Sequence, residues 1–354
     1  MATVFVGTYT EPLDHVNGRG VGIYIYSFNA GRLHPAGAVR GLPSPSYLAV
    51  DAARRRLYAV SETLEFDGLA QGAVQAWAWD PESVALESLG HAGTRGGAPC
   101  YISVLHNHLL IANYVGGSVI AVGLTDSGGL GQVTGYVQHT GTGPNTARQE
   151  APHPHAIVPD PTGEYCLVPD LGTDRVYVYR VDGSKADLQS GGEAVNIHAG
   201  AGPRHLVFNP AGTGAYLMNE LDSTISFLAW KDGRATLLYM LDALPEDSTG
   251  IRSGADIHVH PNGRFLYASL RGLASIVCFQ VDRGTGRLVN PTWFPTHGTT
   301  PRNFTLDSAG EHLIVANQDS DTLVVYRIDS RSGHLIGPHQ VVNVPSPACV
   351  KFAS

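Results

Sequence analysis

The sequence predicts an all-β protein, a seven-bladed β-propeller of four-stranded antiparallel blades, with residues 1–354 forming one domain. Three observations carry the prediction. Glycine (42) and proline (22) are abundant while charged residues make up only 15%, the profile of many short strands joined by many turns. A motif recurs along the whole chain with a period of about fifty residues, the length of one propeller blade. No stretch sustains the 3.6-residue apolar period of a helix, which removes helical-bundle and α/β alternatives.

The repeat opens with Pro, two variable residues and three mostly apolar ones. An Asp, Asn or His follows, often as Pro-x-Gly, and then a second apolar strand. It starts at Pro45 (PSYLAVDAARRRLYAVSE), Pro99 (PCYISVLHNHLLIANY), Pro154 (PHAIVPDPTGEYCLVPDL), Pro203 (PRHLVFNPAGTGAYLMNE), Gly254 (GADIHVHPNGRFLYASLR), Pro301 (PRNFTLDSAGEHLIVANQ) and Pro347 (PACVKFAS). An alternating third strand follows in each unit, as in DRVYVYRVD, STISFLAWK, ASIVCFQVD and DTLVVYRID, and then a less regular fourth. The seventh start has only its first strand. TVFVGTYT and GVGIYIYSFN at the N-terminus match the second and third strands, so the C-terminal strand is expected to close the ring beside them and hide the edge that the chain ends would leave. The Gly-His…Trp-Asp and double-glycine signatures of other propeller classes are absent.

Two columns of the repeat vary in a chemically suggestive way. Directly after the opening residue stand Ser46, Cys100, His155, Arg204, Ala255, Arg302 and Ala348. At the end of the second strand stand Glu62, Tyr114, Leu171, Glu220, Arg271 and Gln318. In an antiparallel blade the first strand starts where the second ends, and these two strands lie nearest the axis. His155, Arg204, Glu220 and Arg271 are therefore expected to converge on one mouth of the channel from consecutive blades. Concave sites with a few converging polar groups are the usual ligand sites.

The net charge of −8, with no basic block, argues against nucleic acid or an acidic membrane surface as partner. A small anionic substrate needs only a few placed arginines. No apolar run is long enough to span a bilayer, and the N-terminus has no basic segment followed by an apolar one. The four cysteines, Cys100, Cys166, Cys278 and Cys349, form no C-x-x-C pair and read as reduced thiols of a cytoplasmic protein. The pattern sets no oligomeric state.

The chain resembles the seven-bladed propeller lactonases, whose members include propeller-type 6-phosphogluconolactonases and the fungal-type 3-carboxy-cis,cis-muconate lactonizing enzyme. The resemblance runs nearly the whole length. It is carried by VGTYT at Val6 to Thr10, GTGPNTARQEAPHPHA at Gly141 to Ala156, VPDLGTDRV at Val168 to Val176, GPRHLVFNP at Gly202 to Pro210, NELDST at Asn219 to Thr224, and DIHVHPNGRFLYAS at Asp256 to Ser269. It implies a site of one His, two Arg and one Glu, which fall on His155, Arg204, Glu220 and Arg271. One departure is Ser-Leu-Arg-Gly at Ser269 to Gly272, where the family often has Ser-Asn-Arg-Gly.

These residues suit a small-molecule lactone or carboxylate. Opening a lactone needs a nucleophilic water, a stabilised oxyanion and a protonated leaving alkoxide. His155 or Glu220 can take the proton, with His155 preferred because its ordinary pKa lies nearer neutrality. Arg204 and Arg271 can stabilise negative charge. Run the other way, the same set cyclises a muconate; a third reading is a non-catalytic interaction platform. Further substrate-binding candidates are Arg148, Glu150, His153, Asp170 and Arg302. Arg148 and Glu150 are expected to pair in their loop, Asp170 to orient His155, and Arg302 to be able to bind a phosphate. The pairs His153/His155 and His258/His260 share strand-like spacing, but no metal and no cofactor is expected.

Overall fold

The computed structural model describes residues 2–182 and 187–353. Seven antiparallel sheets stand in a ring, and among the described residues there is no helix. Blade 1 joins the two ends of the chain: Pro347–Phe352 innermost, then Ala2–Thr8, Gly22–Asn29 and Arg32–Arg40. Val4 sits opposite Phe352 and Gly7 opposite Cys349, the closure expected from the split repeat. Blades 2 to 7 follow in order. Their innermost strands are Leu48–Asp51, Pro99–Leu105, Val158–Pro159, Pro203–Phe208, Gly254–Val259 and Pro301–Leu306. Their second strands are Arg56–Ser61, His108–Asn113, Tyr165–Asp170, Gly214–Asn219, Phe265–Leu270 and His312–Asn317.

The core lies between blades. One apolar cluster joins Leu110, Ala112 and Val119 of blade 3 to Ile157, Cys166 and Val168 of blade 4; another joins Tyr216, Met218 and Ile225 to Ile257, Leu266 and Ala268 across blades 5 and 6. A second strand is covered on both faces by neighbouring blades, which is why His108–Asn113, Gly214–Asn219 and Phe265–Leu270 are buried at every position. Each fully buried Leu, Ile or Val there contributes roughly 1.5–3 kcal/mol. Outer strands such as Arg234–Asp242 cover one face only and alternate in burial. A tyrosine hydroxyl repeats between blades: Tyr58, Tyr216 and Tyr267 donate to the turn carbonyls of Gly128 (3.0 Å), Gly286 (2.8 Å) and Gly333 (2.7 Å) in the next blade.

Two features depart from the repeat. The first strand of blade 4 shrinks to Val158–Pro159, with a lone bridge between Pro154 and Asp170 above it. Pro152, Pro154 and Pro159 have no amide hydrogen to give to a ladder, so the expected strand cannot pair along its length. Blade 1 carries a small hairpin, Pro12–Leu13 with Val16–Asn17, between its second and third strands. It lies at the end of the ring where first strands start and second strands finish, packed on Tyr9 and Ala348.

Candidate functional site

The column after the opening residue owes its position to a repeated backbone irregularity. Pairing between first and second strands slips between Pro99 and Tyr101, Pro203 and His205, Gly254 and Ile257, and Pro301 and Asn303. Cys100, Arg204, Ala255 and Arg302 are therefore extra residues in β-bulges. A bulge leaves a residue outside the ladder and re-aims its side chain. Here the re-aimed side chains ring the mouth. The residue before several of these prolines has a positive φ, among them Ala98 (φ 49°), Gly202 (φ 67°) and Thr300 (φ 56°), a sharp turn onto the inner strand.

Glu220 is the hub. It directly follows the second strand of blade 5, is almost fully buried, and meets three guanidiniums. Arg204 donates Nε–H to its Oε2 at 2.9 Å, Arg271 Nη2 lies 3.0 Å from the same oxygen, and Arg148 Nη2 donates to Oε1 at 2.6 Å. Burial works to raise this carboxyl. The charges of Arg271, Arg204 and Arg148 outweigh it and hold Glu220 well below the usual carboxylate range. The arginines are fixed in turn by backbone: Arg204 donates to the Ala255 carbonyl at 2.7 Å and Arg271 to that of Gly254 at 3.0 Å. Burial, with Arg271 and Arg302 nearby, lowers Arg204 to about 10, still cationic at neutral pH.

His155 completes the arc from blade 4. Its Nε2 is 3.9 Å from Glu220 Oε2, and its Nδ1 is 3.6 Å from the Cys100 thiol. Burial, then the charge of Arg204, pushes its pKa well below the ordinary value, so the ring is neutral at physiological pH. The four residues expected to converge are brought together, and Arg148 joins them from its loop.

Other expectations need correction. Arg148 does not pair with Glu150; it reaches Glu220 and the Tyr114 hydroxyl (3.2 Å), while Glu150 lies 3.1 Å from His153 Nε2. Charge explains the exchange, because buried Glu220 is the stronger attractor for a guanidinium than exposed Glu150. His153 donates Nδ1–H to the Tyr114 carbonyl and stacks on the Tyr114 ring, behind the mouth. Asp170 does not orient His155. One of its oxygens accepts from the amides of His153, Gly172 and Thr173, and the other lies 2.6 Å from His139 Nδ1, so it serves the turn below the site. His258 is held by Asp256 and His260 by the Gly310 carbonyl, so neither meets His153 or His155.

Arg302 faces the mouth from blade 7, over the Tyr9 ring at 5.2 Å. Tyr9 donates to Glu62 at 3.0 Å, and Ser46 donates to the same Glu62 oxygen. Burial raises the Glu62 carboxyl, against the pull of Arg302. A small cavity is lined by Glu62, Cys100, Arg204, His205 and Arg302, among others. Asp256 holds His205 Nδ1 at 2.8 Å.

Several participants were missed. Tyr114 and Glu62 stood in the second column with no repeat-based reason to promote them. His15 lies in the blade 1 hairpin, outside the repeat, where no signal marked it. Asp174 was equally silent: it accepts from Gln149 Nε2 (2.8 Å), from the Gly202 amide (2.8 Å) and from the Gly200 amide (2.7 Å). It thereby ties the Arg148 loop to the turn that presents Arg204.

A ring of seven blades that brings a buried carboxylate, a neutral histidine and convergent arginines to one mouth defines a propeller with a polar, arginine-rich mouth. The family description "Lactonase, 7-bladed beta-propeller" matches residues 3–352, and the chain belongs to that family. It is 34% identical to a 6-phosphogluconolactonase of Bacillus subtilis, over 98% of this chain and 97% of the relative. It is 30% identical to one of Formosa agariphila over 94% of each. Among solved structures, a periplasmic gluconolactonase of Pseudomonas aeruginosa superposes with a TM-score of 0.92 at 32% identity, covering 100% of this chain and 99% of that one.

Proposed function

We propose that the protein hydrolyses a sugar-acid lactone, 6-phosphogluconolactone or a related aldonolactone, at the mouth built around Glu220. The observation that carries the reading is the neutral His155 beside a carboxylate that gathers three arginines. In a family of lactonases this arrangement supplies each need of the reaction. A water attacks the lactone carbonyl and passes its proton to His155. The carbonyl electrons move onto oxygen, where N–H groups of Arg204 and Arg271 take up the developing charge. The oxyanion collapses, the ring C–O bond breaks, and the leaving alkoxide takes the proton back from His155. The product is a hydroxy acid and the histidine is restored. Glu220 is a poor base because its charge is spent on three guanidiniums. Its role is to hold them in place and to stabilise the imidazolium while it exists.

Tyr114 and Arg148 form the wall over His155, and Arg148 closes the mouth on the loop side. A cytoplasmic location belongs to the same reading, supported by four free and buried cysteines. No helix of the described residues is long and apolar enough to cross a membrane. The test is a substrate panel on purified protein: 6-phosphogluconolactone, unphosphorylated aldonolactones and 3-carboxy-cis,cis-muconate, each with and without chelator. Turnover of a lactone, lost in both His155→Gln and Arg204→Met, is expected. Turnover of the muconate alone would replace hydrolysis by cyclisation, and activity lost on chelation would require a metal.

A further inference from the structure

The mouth holds more hydrogen-bond donors and more positive charge than its own acceptors can use. Arg148, Arg204, Arg271 and Arg302 face two carboxyl groups, Glu220 and Glu62; four cations against two leave an excess of at least two positive charges. Three of the arginines are committed to Glu220. Arg302 is not: it makes no hydrogen bond and no ion pair among the described residues, and rests on the Tyr9 ring. A half-buried guanidinium normally finds acceptors for its five N–H groups. Arg271 shows the same deficit, since its Nε is buried without a partner while its Nη2 serves Glu220 and Gly254. His15, at the tip of the blade 1 hairpin, packs edge-on at 5.3 Å to the same Tyr9 ring that carries Arg302. Although exposed by area, His15 is lowered to about 4 by partial removal of water and by the charges of Arg302 and Arg271.

We propose that Arg302, the Nε–H of Arg271 and the His15 ring form an anion subsite for the dianionic phosphate ester of the substrate, which makes the enzyme selective for phosphorylated over unphosphorylated lactones. The inference rests on the lactone-hydrolase reading above and adds to it the half of the mouth that the chemistry does not use. The donors come from three places: an inner strand of blade 7, a second-strand end of blade 6 and the blade 1 hairpin. A planar carboxylate satisfies one guanidinium fork; a tetrahedral head with three terminal oxygens accepts from three sides. Its charge of nearly two at neutral pH also matches the excess. Glu62 accepts from Tyr9 and Ser46 instead of pairing with Arg302, which leaves the Arg302 guanidinium open to an external anion.

Two measurements test this. Inorganic phosphate, sulfate and succinate are titrated calorimetrically into the wild-type chain, R302M and R302K. The kcat/KM for 6-phosphogluconolactone is divided by that for gluconolactone in each. Phosphate and sulfate are expected to bind more tightly than succinate and to lose about 10- to 100-fold in R302M, the worth of a charged hydrogen-bond pair. The substrate ratio should fall by a similar factor, mainly through KM, with partial recovery in R302K. A melting curve checks that each variant is folded, and R302K carries the test if R302M is not. An unchanged ratio, phosphate affinity that ignores Arg302, or a preference for succinate would overturn the proposal. A wild-type chain that turns over neither lactone, yet binds phosphate through Arg302, would support the anion subsite and overturn the hydrolase reading.

Discussion

Removing the Glu220 carboxylate leaves three guanidiniums facing one another with no counter-charge. Two of them, Arg204 and Arg271, are largely buried. Breaking a buried ion pair from one side costs about 3–5 kcal/mol, and the arginines would also drift from the positions that receive the oxyanion. Glu220→Gln is therefore expected to lower the melting temperature and to reduce kcat/KM about 10²- to 10³-fold. The pH dependence has a definite sign. Glu220 has a folded pKa below its ordinary value of 4.5, so its stabilisation is full above that value and is lost as pH falls through the depressed one. Acid unfolding curves of wild type and variant should converge below pH 4.5; parallel curves down to strong acid would remove Glu220 from the hub. His155 gives a second prediction. Its depressed pKa keeps the base form throughout the neutral range, so kcat/KM should show no inflection near 6.5, while His155→Gln should cost about 10²- to 10⁴-fold. An acid limb centred at 6.5 that vanishes in His155→Gln would show an ordinary, solvated histidine instead.

The elements that present these residues are turns and bulges, and they explain what was readable in advance. His155, Arg204, Glu220 and Arg271 could be chosen from the sequence because blades superimpose, so that the residue after the opening position and the residue following the second strand return to the same mouth in successive blades. Arg148 could not be assigned correctly, because its loop lies outside the repeat and its partner Glu220 is 72 residues further on; Asp170 could not, because its partners His139, His153, Gly172 and Thr173 stand outside the two repeat columns. Gly202 shows how tightly these turns are drawn. It has a φ of 67°, and a Cβ there would lie 2.5 Å from Leu221 Cγ. It also accepts from the Glu220 amide at 2.7 Å. Asp174 joins this turn to the Arg148 loop through three hydrogen bonds. Asp174→Ala should therefore displace Arg148 and Arg204 together, whereas Gln149→Ala releases only the loop. The expected result is at least a 10-fold loss in kcat for Asp174→Ala and a smaller kinetic effect for Gln149→Ala, with each variant losing about 2–3 kcal/mol, because Gln149 is itself buried and makes three hydrogen bonds. Thermal melts and steady-state kinetics of the two variants decide it. Equal kinetic effects would mean that Asp174 acts through the loop alone.

At the scale of the whole ring, the repeat announced seven blades because each blade must bury the same two faces against its neighbours. The blade 1 hairpin and the broken first strand of blade 4 serve the mouth or follow from local prolines, and so left no mark on the period. Closure is where the sequence argument and the stability of the molecule meet. Pro347–Phe352 supplies the innermost strand of blade 1, pairing with Ala2–Thr8 from Val4–Phe352 to Thr8–Pro347. It buries Ala348, Cys349 and Val350, and the Val350 amide donates to Asn303 of blade 7 at 2.8 Å. Without it, Ala2–Thr8 becomes an open edge at the axis, and the buried backbone groups left unpaired cost about 1–3 kcal/mol each. Loss of Val350 burial alone removes roughly 1.5–3 kcal/mol. Against a total stability of about 5–15 kcal/mol, a chain ending at Val344 should fail to close. It is expected to aggregate or to melt far below the full chain, and to lose activity although no residue of the Glu220 hub is removed. A synthetic peptide of residues 345–354 added during refolding should restore part of both, by supplying the missing strand in trans. A truncated chain that melts with the full-length protein would show that blade 1 holds the ring shut with three strands.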